Sequence, residues 1–349
     1  MAPAPQKPLL NVLHGKRQDP VPLWMMRQAG RHLPEYMELR GRAKNFLDFC
    51  YTPSLACEAT LQPIERYGMD GAILFADILL ILDALGRGVR FEKGVGPIVE
   101  AVDVGGRLNE VPVQTVVERL SPVYETVSRV KSRLPSETTL IGFAGAPWTV
   151  ALYAIEGRGG TDKATARIWA HKYPAELDLL LDDLVEATAH YMAAQAEAGA
   201  EALMMFDSWA EGLPNDIFEQ IIIRPNQKLV KRLRELGVTV PLIGFPRGAG
   251  VQLPDYAAQT GVSAVGLDTA ALPSFVNREL PATMPVQGHL DPLLLMTGGE
   301  AMERRIVDIL EAYKNRPHIF NLGHGVKPET PIANVERAVK TVRDWKASQ

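Results

Sequence analysis

Cysteine is scarce in this 349-residue chain: only Cys50 and Cys57 occur, too few for a disulfide scaffold and without Cys-x-x-Cys spacing for a metal knuckle. A reducing compartment, the cytoplasm, is the expected setting. Long apolar runs are also missing. The most hydrophobic stretch, 71–85, is interrupted by Asp77 and Asp83 and falls short of the ~20 residues a membrane span needs. The opening MAPAPQKPLL has no apolar signal core, so residues 1–8 read as a loose leader ahead of a single domain over 9–349. Neither sign of charge dominates: 37 Lys and Arg face 41 Asp and Glu, for a net charge of −4. That balance gives no global pull toward nucleic acid or an anionic membrane, so any basic ligand site must be local.

The common catalytic fingerprints are absent too. There is no Gly-x-x-x-x-Gly-Lys-Ser/Thr phosphate loop, no His-Glu-x-x-His and no Gly-x-Ser-x-Gly. Gly157-Arg158-Gly159-Gly160 lacks dinucleotide spacing and reads as a flexible loop.

What is present is a regular alternation. Short apolar or β-branched runs fall at 22–26, 71–76, 139–144, 202–208, 241–246, 264–269, 284–289 and 318–325. Helical stretches at 52–67, 115–133, 175–198, 215–236, 292–313 and 330–345 lie between most of them or follow the last, where Ile332, Val335, Val339 and Val342 share one face. Eight near-continuous apolar strands alternating with helices predict a parallel sheet covered on its outer face, and eight strands close a (β/α)8 TIM barrel. Residues 86–106 alternate and turn without a helix, which predicts a β-hairpin excursion.

In such a barrel, function sits just past the strand ends. Arg27, Gln28 and Arg31 follow the first strand, Asp77 the second, Ser208 the fourth, Arg247 the fifth and His324 the eighth, with Tyr153 a turn or two beyond the third. Arg27 and Arg31, four apart around Ala29 and Gly30, are either solvated surface charges or a fork for one anion. Asp77, in an apolar run, is either a helix cap or a carboxylate that meets donors from a ligand. Tyr153 taken alone reads more readily as packing, and His324, between two glycines, can bond to backbone or serve a ligand carboxylate or proton. His32 reads as structural.

PLWMMRQAGRHLPEY (22–36) and GFAGAPWTVALYAIEG (142–157) resemble the two signatures of the uroporphyrinogen decarboxylase family. FADIL (75–79), FEKGVGP (91–97), GLDT (266–269) and FNLGHGVKPETP (320–331) continue the likeness in order along nearly the whole chain. The resemblance implies a cofactor-independent carboxy-lyase that converts the four acetates of uroporphyrinogen III to methyls in haem biosynthesis, with no metal, because the protonated pyrrole is its own electron sink. It implies substrate contacts from Arg27, Gln28, Ala29, Gly30, Arg31, Asp77, Tyr153, Ser208 and His324, catalytic roles for Asp77 and Arg27, and a homodimer with facing mouths. The proton donor stays open among Arg27, a substrate carboxyl and water. Trp209, His289 and Ala270 depart from the family pattern and bear on peripheral pocket contacts. Two other readings are a zinc-dependent corrinoid methyltransferase of the same superfamily, though no His-x-Cys accompanies Cys50 or Cys57, and a non-catalytic tetrapyrrole carrier.

Overall fold

The computed structural model describes residues 7–92 and 94–346; most of the expected leader, residues 1–6, lies outside the described residues. Its strands are β1 (Gly71–Ile73), β2 (Arg90–Glu92), β3 (Gly96–Ile98), β4 (Thr139–Gly145), β5 (Ala202–Asp207), β6 (Leu242–Pro246), β7 (Ala264–Gly266), β8 (Val286–Leu290) and β9 (His318–Leu322). Seven of them form one parallel sheet in the order β1-β4-β5-β6-β7-β8-β9. Helices follow every one of these strands, and the inward and outward faces are both buried, which is why the strands read as unbroken apolar runs.

The expected first strand, 22–26, is reduced to a single parallel bridge between Leu23 and Phe320. It nevertheless closes the ring. Phe320 N donates to Pro22 O at 2.9 Å, and on the other flank Asp70 N donates to Leu23 O at 2.9 Å. Trp24 N donates to Phe320 O at 3.3 Å, and the other amides of this stave are taken by side chains: Leu23 N by Asp70 Oδ2 at 2.7 Å, Met25 N by Gln28 Oε1 at 3.0 Å and Met26 N by Asn321 Oδ1 at 2.9 Å. Side-chain acceptors replace a regular ladder, so the buried backbone is satisfied without a strand. Inside the ring, the buried Trp24 Nε1 donates to Gln287 Oε1 at 2.8 Å.

Lys7 and Pro8, expected in the leader, belong to the fold. Pro8 starts the helix Pro8–Leu13, whose Leu9 packs on the bare face of Gly71, and Lys7 Nζ donates to Thr138 O and Glu201 Oε2, both at 2.7 Å. Thr138 and Glu201 immediately precede β4 and β5, so this contact seals the end of the barrel opposite the strand C-termini.

Two long helices expected from periodicity are broken. The 115–133 stretch is Val113–Arg119 and Ser121–Arg133, because Pro122 in the first turn of the second has no N–H to donate backward. The 292–313 stretch is Pro292–Thr297 and Gly299–Ala312, parted by Gly298 at φ +68°. The predicted hairpin is present as antiparallel β2–β3. Gly157–Gly160, read as a flexible loop, is pinned to it: Arg158 bridges Ile98, and Gly159 N donates to Pro97 O at 3.1 Å.

Three buried histidines, His32, His289 and His318, are each held near pKa 4, in every case mainly by burial. An unfolded chain protonates them near 6.5, so between about pH 6.5 and 4 the unfolded state binds more protons and stability falls as pH falls. Asp207, raised to about 6 by burial, opposes this with one proton. His324, held near 4 chiefly by burial, adds a fourth such imidazole and the raised Asp77 opposes it, so we expect the melting temperature to drop steadily from pH 7 to pH 5, with net proton uptake on unfolding near pH 5. A calorimetric series that is flat across this range would overturn the assignment of neutral buried imidazoles.

Candidate active site

The stave at 22–26 delivers its chain to the sheet's C-terminal end, where Arg27 turns away with φ +59°. That left-handed conformation costs a non-glycine residue about 1–2 kcal/mol and persists only where surroundings enforce it. Here they do. Gln28, expected as a substrate contact, is buried, with its Nε2 on Gly71 O at 3.0 Å and its Oε1 on Met25 N. Its amide is spent tying the Arg27 turn to β1. Ala29 packs on the core, and Gly30 has Arg27 O only 3.0 Å from where a Cβ would stand. Arg27 and Arg31 are exposed, and neither forms an ion pair among the described residues.

Arg27 lies along the eighth loop. A Cβ on Gly325 would fall 2.6 Å from Arg27 Cγ, so the glycine makes room for the arginine. Gly323, on the other side of His324, instead makes room for the backbone of Thr269, whose N and Cα occupy the space a Cβ would need. His324 is half-buried, and burial together with Arg27, Arg247 and Lys327 lowers its pKa to about 4. At neutral pH it is therefore a neutral donor and acceptor among cations.

Asp77 follows β1 and is half-buried. Its Oδ1 accepts Leu79 N at 2.9 Å, an Asx turn that fixes the carboxylate plane, while Oδ2 has no partner among the described residues. Burial raises its pKa, against the lowering pull of the Leu79 amide and of Arg27. Tyr153, on the helix Pro147–Glu156 after β4, is half-buried beside Trp209; burial and the nearby Asp77 raise its pKa while Arg27 lowers it. Arg27, Asp77, Tyr153 and His324 thus share one mouth.

Ser208 enters the mouth through Arg247. Arg247 Nη1 donates to Ser208 O at 3.1 Å and to Glu211 Oε2 at 2.6 Å, and its own N donates to Asp207 O at 3.0 Å. Glu211 also accepts Lys163 Nζ at 3.0 Å, and that ammonium lies 3.8 Å from the centre of the Trp209 ring. Beneath, Asp207 is fully buried between Thr149 Oγ1 at 2.8 Å and Asn226 Nδ2 at 3.0 Å, a polar post under the β5 loop. Sequence reasoning passed over Lys163, Asp207, Glu211 and Lys327. The signal available for the first was position 163's place beside the glycine-rich loop; for Asp207 it was a carboxylate inside an apolar strand. Of the family departures, Trp209 and Ala270 do border the mouth region, whereas His289 packs against Tyr313 beside the outer helix Gly299–Ala312 and makes no pocket contact.

A family model described as Uroporphyrinogen decarboxylase (URO-D) matches residues 4–345. Among curated proteins the chain is 66% identical to uroporphyrinogen decarboxylase of Hyphomonas neptunium, covering 97% of this chain and 98% of that one. It is 50% identical to the protein of that name from Maricaulis maris, again over 97% and 98%. Among solved structures, a methyltransferase from Methanosarcina mazei aligns with TM-score 0.77 over 96% of this chain and 97% of that one, at 19% identity, a likeness of fold.

The two glycines around His324 should respond differently to alanine. Gly323→Ala drives a methyl into backbone and is expected to cost about 2–3 kcal/mol. Gly325→Ala meets the near end of the Arg27 side chain, whose Cβ stands 3.0 Å away, so part of the clash can be relieved by rotation and the cost should be lower, about 1–2 kcal/mol. Urea unfolding of both variants decides it, and equal losses would show that Arg27 is rigidly held.

Proposed function

The chain belongs to the uroporphyrinogen decarboxylase family, and on that premise we propose that its mouth binds uroporphyrinogen III and converts the four acetates to methyls, giving coproporphyrinogen III and carbon dioxide. One observation carries the assignment of the centre: Asp77 presents a carboxylate with one oxygen anchored by Leu79 N–H and the other unpartnered, in a mouth whose other charged groups include unpaired arginines. A carboxylate left so in a low-dielectric site is costly unless a ligand supplies donors, and converging pyrrole N–H groups do so.

In each round a proton adds to a pyrrole α-carbon beside the acetate, and the ring becomes a cation. Asp77 stabilises that charge through the N–H groups, a preorganised electrostatic role. The bond from the acetate methylene to its carboxylate then breaks, carbon dioxide leaves, and the electron pair returns to the ring. A second proton on the methylene, with loss of the first from the α-carbon, completes the methyl. Net, one proton enters and one carbon dioxide departs per acetate. The substrate supplies the electron sink, so no cofactor or metal is required. Arg27 and Arg31 take peripheral carboxylates through planar forks, Tyr153 and Ser208 offer hydroxyls, and the neutral His324 hydrogen-bonds a carboxylate or relays a proton. The proton donor is Arg27, a substrate carboxyl or water; the exposure of Arg27 favours one of the latter two.

The same reading extends to a cytoplasmic homodimer. Both cysteines are buried free thiols, which suits a reducing compartment. Val251, Leu272 and Leu293 are exposed by 80%, 62% and 52% on the adjacent loops after β6, β7 and β8, an apolar rim that a second mouth would cover. No described helix is long and apolar enough to cross a membrane. The methyltransferase alternative rests on fold alone, and among the described residues no group of three or more His, Cys, Asp or Glu has the placement to hold a metal.

The deciding experiment is an anaerobic assay with uroporphyrinogen, followed by chromatography of the oxidised products. Asp77→Asn should lower turnover by about 10²–10³, or ~3–4 kcal/mol. Because the folded carboxyl has a raised pKa, its ionised form weakens the empty enzyme above that pKa, so the variant should melt no lower than the parent at pH 7. The acid limb of the parent's pH profile should lie above the ordinary aspartate range. A variant that melts far lower yet turns over normally would make Asp77 structural.

Arg27→Lys and Arg31→Lys keep the charge and lose the fork. Each should reduce kcat/KM about tenfold with an unchanged melt, since both side chains are exposed. Unaltered kcat/KM in both would reduce them to solvated surface charges.

A further inference from the structure

Beside His324 the loops after β5, β6, β7, β8 and β9 enclose a cavity of 360 Å³, lined among others by Glu211, Arg247, Asp268, Asp291, His324 and Lys327. It lies to the side of the Arg27–Asp77 centre. Each of its acids holds at least one donor, Asp291 through one oxygen only. Glu211 accepts Lys163 and Arg247, Asp268 accepts Gly248 N through Oδ2 and Ala270 N through Oδ1, both at 2.7 Å, and Asp291 Oδ1 accepts Leu293 N at 2.8 Å. Lys327 is different. The residue is half-buried, lines the cavity and has no carboxylate or carbonyl partner among the described residues.

A cation on a concave wall with no partner of its own is open to an anionic ligand group. Arg247 stands on the same cavity with its Nη1 held by Ser208 O and Glu211, which fixes the guanidinium without covering it. His324, placed between Arg27, Arg247 and Lys327, links this side cavity to the centre. We propose that Lys327, with Arg247, clamps one peripheral carboxylate arm of the substrate in this side cavity, separately from the contacts made by Arg27 and Arg31. The inference rests on the tetrapyrrole reading above and names a substrate-binding residue for it. At 360 Å³ the cavity has ample room for a propionate- or acetate-sized arm.

The test is kinetic and direct. Lys327→Met, Lys327→Glu and Lys327→Arg are compared with the parent in the anaerobic assay, and each is titrated with two oxidised probes, the octacarboxylate uroporphyrin and the tetracarboxylate coproporphyrin, by quenching of intrinsic fluorescence. The Met variant should raise KM for uroporphyrinogen about five- to tenfold, and the Glu variant more, with kcat within about twofold of the parent. Arg should restore KM. The Met-to-parent ratio should shrink as salt rises, as expected for a partly exposed ion pair. Met and Glu variants with the parent's KM and the parent's porphyrin affinities would overturn the proposal and leave the decarboxylase reading intact. A parent with no turnover would instead remove that reading, while the porphyrin titrations would still decide whether Lys327 holds a carboxylate.

Discussion

Closure of the ring by residues 22–26 is the constraint on which everything at the mouth depends. A stave with a single bridge to Phe320 would be a poor wall by itself. It is held because Asp70 and Asn321 reach across from either side, and Gln28 from within, to take amides that a full strand would have paired. Buried backbone donors left without acceptors cost about 1–3 kcal/mol each, so these three side chains decide whether the stave stays in place. Gln28 then spends its remaining donor on Gly71, the first residue of β1. Arg27 is thereby trapped in a left-handed turn between the first and last walls of the barrel, with Asp77 on one side and His324 on the other. The strain at Arg27 persists because the hydrogen bonds below it outweigh it.

Above that saturated layer the balance is reversed. Arg27, Arg31 and Lys327 have no carboxylate partners, one oxygen of Asp77 has no donor, and His324 is kept neutral by burial and by three neighbouring cations. Charges in the wall that do have partners, Lys163 and Arg247, converge on Glu211 and so hold a geometry. The mouth therefore sets unpaired cations around the fixed carboxylate of Asp77, with Asp268 and Asp291 held by backbone amides in the side cavity. A polyanion with donors at its centre is complementary to that pattern; a polycation or an apolar ligand is not.

Much of this was legible along the chain, and the failures have physical reasons. Seven strands were readable because parallel strands buried on both faces leave unbroken apolar runs. The eighth run was equally apolar, but periodicity cannot reveal that its pairing is done by Asp70, Gln28 and Asn321, which are distant or of a different element. Helix breaks at Pro122 and Gly298 were written in the residues yet overridden by a continuous apolar face on either side. Arg27, Asp77, Tyr153 and His324 could be placed because each follows a strand end, and strand ends are adjacent in a barrel. Lys327 could not, since a lysine three residues past His324 has no local pattern, and its isolation becomes visible only when every neighbouring acid is seen to be engaged. Gln28 sat in the right motif for a substrate contact and turned out to hold the motif in place.

Asp77 shows why a bland and a functional reading need not compete. As a turn residue, it uses one oxygen on Leu79 N–H, and that bond is worth about 1 kcal/mol in an ordinary loop. The same bond removes the side chain's rotational freedom, so the second oxygen is aimed before any ligand arrives. A carboxylate free to rotate would lose part of its stabilising energy to reorganisation at the moment the ring becomes a cation; an anchored one does not. On the proposed reading, the local turn is the means by which the centre is preorganised. The burial that raises the pKa of Asp77 is also what makes its charge effective, because the low dielectric that penalises the free carboxylate strengthens its attraction to the developing cation.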